Sequence, residues 1–216
     1  MLNGLAIYPG ERDIFYREFS DGVAHTEAFL GAYMLFEVLP FDLLGCFLSS
    51  ILFCYVIGVT TTVSSLFVMT WVFFCFLSTG ESVAIFVSNM VDRVGFIAVV
   101  ASTILTIFSA SGSVVSLTIP EFYKIINYGS AIHYSTEVAA ISVFQDKAFV
   151  CTQSQLNPDG SCPITSGNQI LDQLSFDPNN FVRDMAVLAG LLAIYRLIAY
   201  LALKIRNFLE LRAVKY

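Results

Sequence analysis

Four long apolar stretches alternate with polar segments along the chain. They run over Phe29–Val59, Val63–Val91, Val94–Leu117 and Phe181–Leu203. An α-helix rises about 1.5 Å per residue, so about 20 residues cross a hydrocarbon core about 30 Å thick. The pattern therefore predicts an all-α membrane protein with four transmembrane helices. Pro40 is expected to kink or break the first of them near Leu39.

The segment before the first apolar stretch combines charged and aromatic residues. Helical spacing places four apolar side chains on one face, namely Phe15, Tyr16, Phe19 and Val23. Charged side chains occupy the opposite face, namely Asp13, Arg17 and Asp21. Residues 8–24 are therefore predicted to form an amphipathic helix at a membrane surface.

Residues 118–180 separate the third and fourth apolar stretches and are too polar to face lipid. Within them, Pro120–Phe144 has a helical, partly apolar pattern that also holds ionisable residues, namely Glu121, Lys124, His133 and Glu137. We expect re-entrant or interfacial helices here, because backbone polar groups at membrane depth must be covered by protein or water. The polar loop Gln145–Asn180 follows.

The five cysteines fall into two groups. Cys46, Cys54 and Cys75 lie inside apolar stretches, where they are expected to act as packing residues. Cys151 and Cys162 lie in the polar loop. That placement predicts a disulfide if the loop faces an oxidising compartment.

Positive charge sets the expected orientation. The segment after the last apolar stretch carries four basic residues, namely Lys204, Arg206, Arg212 and Lys215. The positive-inside rule places this C-terminal end in the cytoplasm. Four spans return the chain to its starting side. The amphipathic helix is then cytoplasmic, and the cysteine loop lies outside the cell or in a lumen.

Composition supports the same class of protein. The chain has 216 residues, of which 56% are hydrophobic and 13% are charged, and its mean hydropathy is +0.74. A soluble domain is about 25% charged. The net charge of −6 is scattered and leaves no basic face, so we expect no nucleic-acid partner.

Glu81 is the most costly residue in the second apolar stretch. A central carboxylate is expensive in hydrocarbon, so Glu81 is expected to face protein or water. Two roles remain open: a polar relay along a substrate path, or an interhelical hydrogen bond that fixes packing. Arg196 lies two turns before Lys204, so its guanidinium is expected to snorkel to the cytoplasmic interface.

The third apolar stretch carries a polar stripe. Val99, Thr103 and Thr106 share one helical face. The stripe could line a path for an amphipathic substrate, although threonines in membrane helices more often bond to their own backbone carbonyls.

Common catalytic and metal-binding patterns are absent from the sequence. It contains no G-x-x-x-x-G-K-[ST] loop for nucleotide phosphates and no G-x-S-x-G nucleophile motif. His25 and His133 have no metal-ligand spacing. We therefore expect neither a cofactor nor a metal in this chain, and no enzymatic activity of its own.

Several segments together resemble the membrane domain of G-subfamily (white-type) ABC half-transporters, an ABC-2 type membrane domain. They are Tyr8–Arg12 with Phe15–Gly22, Glu37–Pro40, Ile107–Ser109 with Ile126–Tyr128 and Tyr134–Glu137, and Arg196–Leu203. The resemblance implies that the four apolar stretches are the last four of six membrane helices, with Met1–Ile7 as the tail of the second. Residues 8–24 match the family's coupling helix.

The resemblance also implies roles for residues. Those matching the contact with the nucleotide-binding domain are Phe15, Tyr16, Arg17 and Glu18. Those matching the wall of the central substrate cavity are Val99, Thr103 and Thr106. Cys151 and Cys162 match the family's extracellular loop cysteines. The loop has no N-x-[ST] sequon and no third cysteine, so we expect neither a loop glycan nor a covalent dimer through it.

Partners follow from the same resemblance. It implies an ABC nucleotide-binding domain that binds ATP and Mg²⁺, a second half-transporter in a homo- or heterodimer, and the lipid bilayer. The implied activity is ATP-driven export of a lipid, a sterol or a hydrophobic xenobiotic by alternating access. Two alternatives remain: a non-transporting scaffold or remnant, and an ion-coupled carrier that uses Glu81.

Overall fold

A computed structural model describes residues 7–56, 58–59, 62–91, 93–111, 128–151 and 162–214. Within these ranges the secondary structure is helical, apart from one isolated antiparallel bridge between Ala148 and Ser166. The predicted all-α class is confirmed. Residues 1–6, proposed as the end of an earlier membrane helix, lie outside the described part.

The first helix, α1, covers Tyr8–Ser20. It ends four residues before the predicted limit, in a turn where Gly22 has φ of +73°, a left-handed conformation that glycine adopts without steric cost. The second helix, α2, then runs over Thr26–Val56.

The helix α2 is not broken at Pro40. A π-helical turn over Tyr33–Val38 directly precedes the helical segment Leu39–Ile51 that contains this proline. Proline lacks an N–H and crowds the preceding turn. A local π-helical turn is one of the ways in which a helix absorbs such a disturbance, and it is a common site of kinks.

The helix α3 (Val63–Met90) lies at the centre of the bundle. It packs directly against α1, α2, α4 (Val94–Ser111), α5 (Ala131–Phe144) and α7 (Phe181–Val214). The short helix α6 (Gly167–Leu174) packs against α5. Every residue of α3 from Ser78 to Ile85 is buried. A helix that is buried all round belongs inside a bundle.

Three helical segments are long and apolar enough to cross a membrane, namely Thr26–Val56, Val63–Met90 and Pro178–Leu209. The apolar part of α4, Gly95–Ser109, is shorter, and the predicted continuation to Leu117 lies outside the described residues. The membrane fold therefore agrees with the sequence, while the fourth span stays a prediction.

The helix α5 falls within the segment predicted to be re-entrant. Its 14 residues extend about 21 Å, which is shorter than a hydrocarbon core of about 30 Å. It packs against α3 and α7 through a cluster that includes Cys75, Tyr134 and Leu188. The first part of the predicted re-entrant segment, residues 118–127, lies outside the described ranges.

Candidate coupling site and transport path

The helix α1 docks on the bundle through aromatic side chains. Phe15 is 1% exposed and its ring stacks on Phe29 of α2 at a centroid distance of 4.3 Å. Tyr8 is fully buried and meets Tyr33 edge-on at 5.4 Å. The same apolar cluster includes Leu203 of α7. The predicted apolar face of α1 is thus the face that packs.

The four predicted coupling residues divide into two pairs. Phe15 is buried and Tyr16 is half-buried, whereas Arg17 and Glu18 are exposed on the outer side of α1. Val23, predicted on the apolar face, is 78% exposed. That part of the prediction is wrong because α1 ends at Ser20 and helical spacing no longer applies.

A buried arginine on α1 escaped the sequence analysis. Arg12 is 3% exposed and donates from Nη1 to the carbonyl oxygen of Ser88 on α3. It also pairs with the neighbouring Asp13 carboxylate at 2.9 Å. A charged residue on a surface helix is ordinarily solvated, so the spacing of residues gave no sign that Arg12 is buried. Its place in the motif of the resemblance is the signal that could have revealed it.

Tyr8 adds a second polar link between α1 and α3. Its hydroxyl donates to Oδ1 of Asn89 at 2.9 Å, with both groups buried. Burial raises the pKa of Tyr8 well above its usual range, because an apolar environment disfavours the phenolate. The hydroxyl therefore stays protonated and remains a donor.

Glu81 lies at the core of the bundle and is fully buried. Its Oε2 lies 3.6 Å from Nη2 of Arg196 on α7, and the Asp42 carboxyl of α2 lies near this pair. The expectation that Arg196 snorkels to the interface is wrong. A carboxylate buried in the bundle offers its guanidinium a closer partner than the interface does, since an unpaired buried charge is costly.

The predicted polar stripe lies on the outer face of α4. Val99 is 61% exposed, and Thr103 and Thr106 are exposed as well. Each threonine hydroxyl donates to its own helix, Thr103 to the carbonyl of Val99 and Thr106 to that of Ser102, both at 2.8 Å. The hydroxyl groups of both threonines are therefore satisfied within α4 itself.

Two cavities lie between the helices. The larger, about 700 Å³, is an open and mostly apolar cleft lined by α2, α3 and α7. The smaller, about 430 Å³, lies between α3, α4 and α5, and Thr106 is part of its wall. Volumes of this size suit hydrophobic ligands. Within the described residues, no cluster of three potential ligand side chains could hold a metal ion.

The polar loop at the other end of the bundle is closed by a covalent link. Cys151 and Cys162 form a disulfide with Cα atoms 5.9 Å apart. On α5, the Oε2 atom of Glu137 lies 3.7 Å from the Nε2 atom of His133. Burial, together with the nearby Asp184 carboxyl group, raises the pKa of Glu137 to about 7. The other three cysteines are buried and reduced.

These features define a helical membrane domain with an amphipathic helix docked at one end of its bundle. Residues 1–144, two thirds of the chain, match the ABC-2 type transporter family. The chain therefore belongs to the ABC-2 type transporter family, as a membrane domain of the G-subfamily type. The predicted resemblance is confirmed.

Three relatives illustrate the relationship. An uncharacterized ABC transporter ATP-binding protein/permease of Saccharomyces cerevisiae is 29% identical over 205 residues, which is 94% of this chain and 16% of the relative. ABC transporter G family member 1 of Dictyostelium discoideum is 30% identical over 128 residues, 58% of this chain and 16% of the relative. ATP-binding cassette sub-family G member 5 of Mus musculus is 23% identical over 220 residues, 97% of this chain and 33% of the relative. The chain thus spans a minor part of each relative.

Proposed function

We propose that this chain is the membrane-spanning part of an ATP-driven exporter, with a lipid, a sterol or a hydrophobic xenobiotic as substrate. The observation that carries the proposal is the way α1 is held. Its apolar face is buried against α2, α3 and α7, while Arg17 and Glu18 are exposed. A docked helix with a charged outer face is suited to bind a soluble domain whose motion rearranges the helices of the bundle.

ATP and Mg²⁺ are proposed to bind to an associated nucleotide-binding domain, because the yeast relative is named as an ATP-binding protein as well as a permease. This chain would hydrolyse no ATP itself. Closure of the nucleotide-binding domains would push on α1 from the cytoplasm, where the basic C-terminal end also lies in this proposal. The bundle would then switch between inward-facing and outward-facing states.

The substrate path is proposed to run along the outer face of α4, between this chain and a second half-transporter. Val99, Thr103 and Thr106 would line it. Their exposure supports the proposal, because a helix face that combines threonine with aliphatic side chains suits an amphipathic substrate better than it suits the chain's own core.

The test uses the transporter reconstituted in vesicles with its nucleotide-binding domain and a fluorescently labelled phospholipid or sterol. Transport should require ATP and Mg²⁺. Reversing both outer charges of α1 with Arg17→Glu and Glu18→Arg should reduce transport about tenfold, within the usual range of coupling between sites. The matched control is Asp172→Arg, a charge reversal at an exposed position of α6 at the other end of the bundle, which should leave transport unchanged.

Three outcomes would contradict the proposal or its coupling route. Transport driven by an ion gradient without ATP would replace the exporter with the carrier that uses Glu81. A complex that binds ATP but moves none of the labelled lipids would favour a scaffold. Equal transport by the α1 double variant and the wild type would remove α1 from the coupling route.

A further inference from the structure

The end of α3 near α1 leaves backbone carbonyl groups that its own helix cannot satisfy. The helix ends at Met90, and the last internal bond runs from the N–H of Val91 to the carbonyl of Val87. The next carbonyls, including those of Ser88 and Asn89, have no following N–H in the helix. Such groups need side-chain donors when the end of a helix is buried.

Two arginines from different helices supply these donors. Arg12 of α1 donates to the carbonyl of Ser88, with a longer contact of 3.5 Å to that of Val91. Arg206 of α7 donates from Nη1 to the carbonyl of Asn89 at 2.9 Å. Cations are favoured at this position, because the C-terminal end of a helix carries partial negative charge.

The ring of Tyr16 lies close to both arginines. The Cζ atom of Arg12 is 5.5 Å from the ring centroid, and the Cζ atom of Arg206 is 5.4 Å from it. Both distances fall within the range of cation–π attraction. Three helices therefore meet at one junction, which consists of Arg12, Tyr16, Asn89 and Arg206 and is called the α1 junction below.

Chain connectivity explains why such a junction is needed. Residues 21–25 join α1 directly to α2, so a displacement of α1 reaches α2 through the backbone. The helices α3 and α7 have no direct chain connection to α1, and only non-covalent contacts can make them follow. Arg206 reaches α3 from α7, and the adjacent Asn207 donates to Thr26 of α2 at 3.0 Å.

We propose that Arg206 is a positioning residue which, through the α1 junction, makes α3 and α7 move with α1 as one body. This inference rests on the proposed function, because it assigns the route by which motion of α1 reaches two of the membrane helices. When the junction is loosened, the nucleotide-binding domain still turns over ATP, but its closure displaces α1 and α2 without α3 and α7.

The experiment compares variants in the full transporter, reconstituted in vesicles with its nucleotide-binding domain and a labelled phospholipid. Arg206→Gln removes the charge and should lower the number of lipids moved per ATP about tenfold, with ATP hydrolysis retained. Arg206→Lys keeps a cation at the carbonyl and should restore at least part of the ratio. The matched control is Lys204→Gln on the same helix, because Lys204 is 57% exposed and its link to Glu27 is a surface pair.

A second pair of variants protects the test against misfolding of the Arg206 variants. Tyr16→Leu removes the ring that lies near both guanidinium groups and should lower the same ratio, whereas Tyr16→Phe keeps the ring and should lower the ratio less. An unchanged ratio in both Arg206→Gln and Tyr16→Leu would overturn the junction while leaving the exporter intact. Failure of the exporter proposal would be visible earlier, as wild-type vesicles that show no ATP-dependent transport.

Discussion

A charged pair inside the bundle and the threonines on the outer face of α4 differ in where their polar groups find partners. Inside, Glu81 of α3 contacts Arg196 of α7 at 3.6 Å, and the contact joins two helices. Outside, the hydroxyls of Thr103 and Thr106 bond to carbonyls of their own helix. The inner groups fix the helices relative to one another. The outer groups contribute little to the fold and are available to a substrate or a partner.

The largest expected effect tests the inner side. Glu81→Ala leaves the Arg196 guanidinium buried without its carboxylate, and loss of one partner of a buried pair costs about 3–5 kcal/mol. The thermal midpoint in detergent should fall accordingly. A thiol-reactive dye can follow unfolding, because Cys46, Cys54 and Cys75 are buried in the folded state. The double variant Glu81→Leu with Arg196→Leu should recover most of the loss, since it removes both charges.

The control for this prediction is Glu27→Ala, which breaks an exposed contact with Lys204 and should leave the midpoint unchanged. If Glu81→Ala were as stable as the wild type, the inner pair would not hold the helices together. The contrast with α4 would then lose its basis.

The sequence predicts the helices better than it predicts their contacts. Long apolar stretches mark the spans, because the thickness of the bilayer sets their length. The packing face of α1 also follows from spacing, since Phe15 and Phe19 are four residues apart and share one helical face. These features depend on neighbours in the chain, and they are the features that the structure reproduces.

The polar contacts could not be predicted in the same way. The prediction for Arg196 rested on its local surroundings, the nearby membrane interface, and the burial of Arg12 was not predicted. Their actual partners, Glu81 and Ser88, are on a helix distant in sequence. Spacing along one chain does not show which helices become neighbours. The partners of these two arginines can therefore be identified only from the tertiary structure.

The next largest expected effect concerns the buried carboxyl group of Glu137, toward the loop end of the bundle. Burial raises the pKa of Glu137 from 4.5 to about 7, so the folded state favours the protonated form. Stability should be greatest below about pH 4.5 and should fall as pH rises toward 7, because ionisation is then easier in the unfolded chain. Glu137→Gln should remove this slope and be more stable at pH 8 by up to about 3 kcal/mol.

The measurement is the thermal midpoint of both proteins between pH 4.5 and 8, taken as a difference so that other titrations cancel. Asp172→Asn, at an exposed position of α6, serves as the control and should track the wild type. Parallel curves for Glu137→Gln and the wild type would show that this carboxyl is solvated and does not belong to the buried inner side.

The smallest expected effect on stability, and the most informative for transport, belongs to the outer face of α4. Thr103→Trp places a large side chain where Thr103 is exposed, so the free energy of unfolding should change by less than about 0.5 kcal/mol. If this face lines the path, transport should fall about tenfold, a barrier increase of about 1.4 kcal/mol. Leu48→Trp is the matched control, since Leu48 of α2 is 54% exposed and lies away from the stripe. Full transport by Thr103→Trp would mean that the outer face of α4 meets only lipid, because a bulky ring in a substrate path must obstruct it.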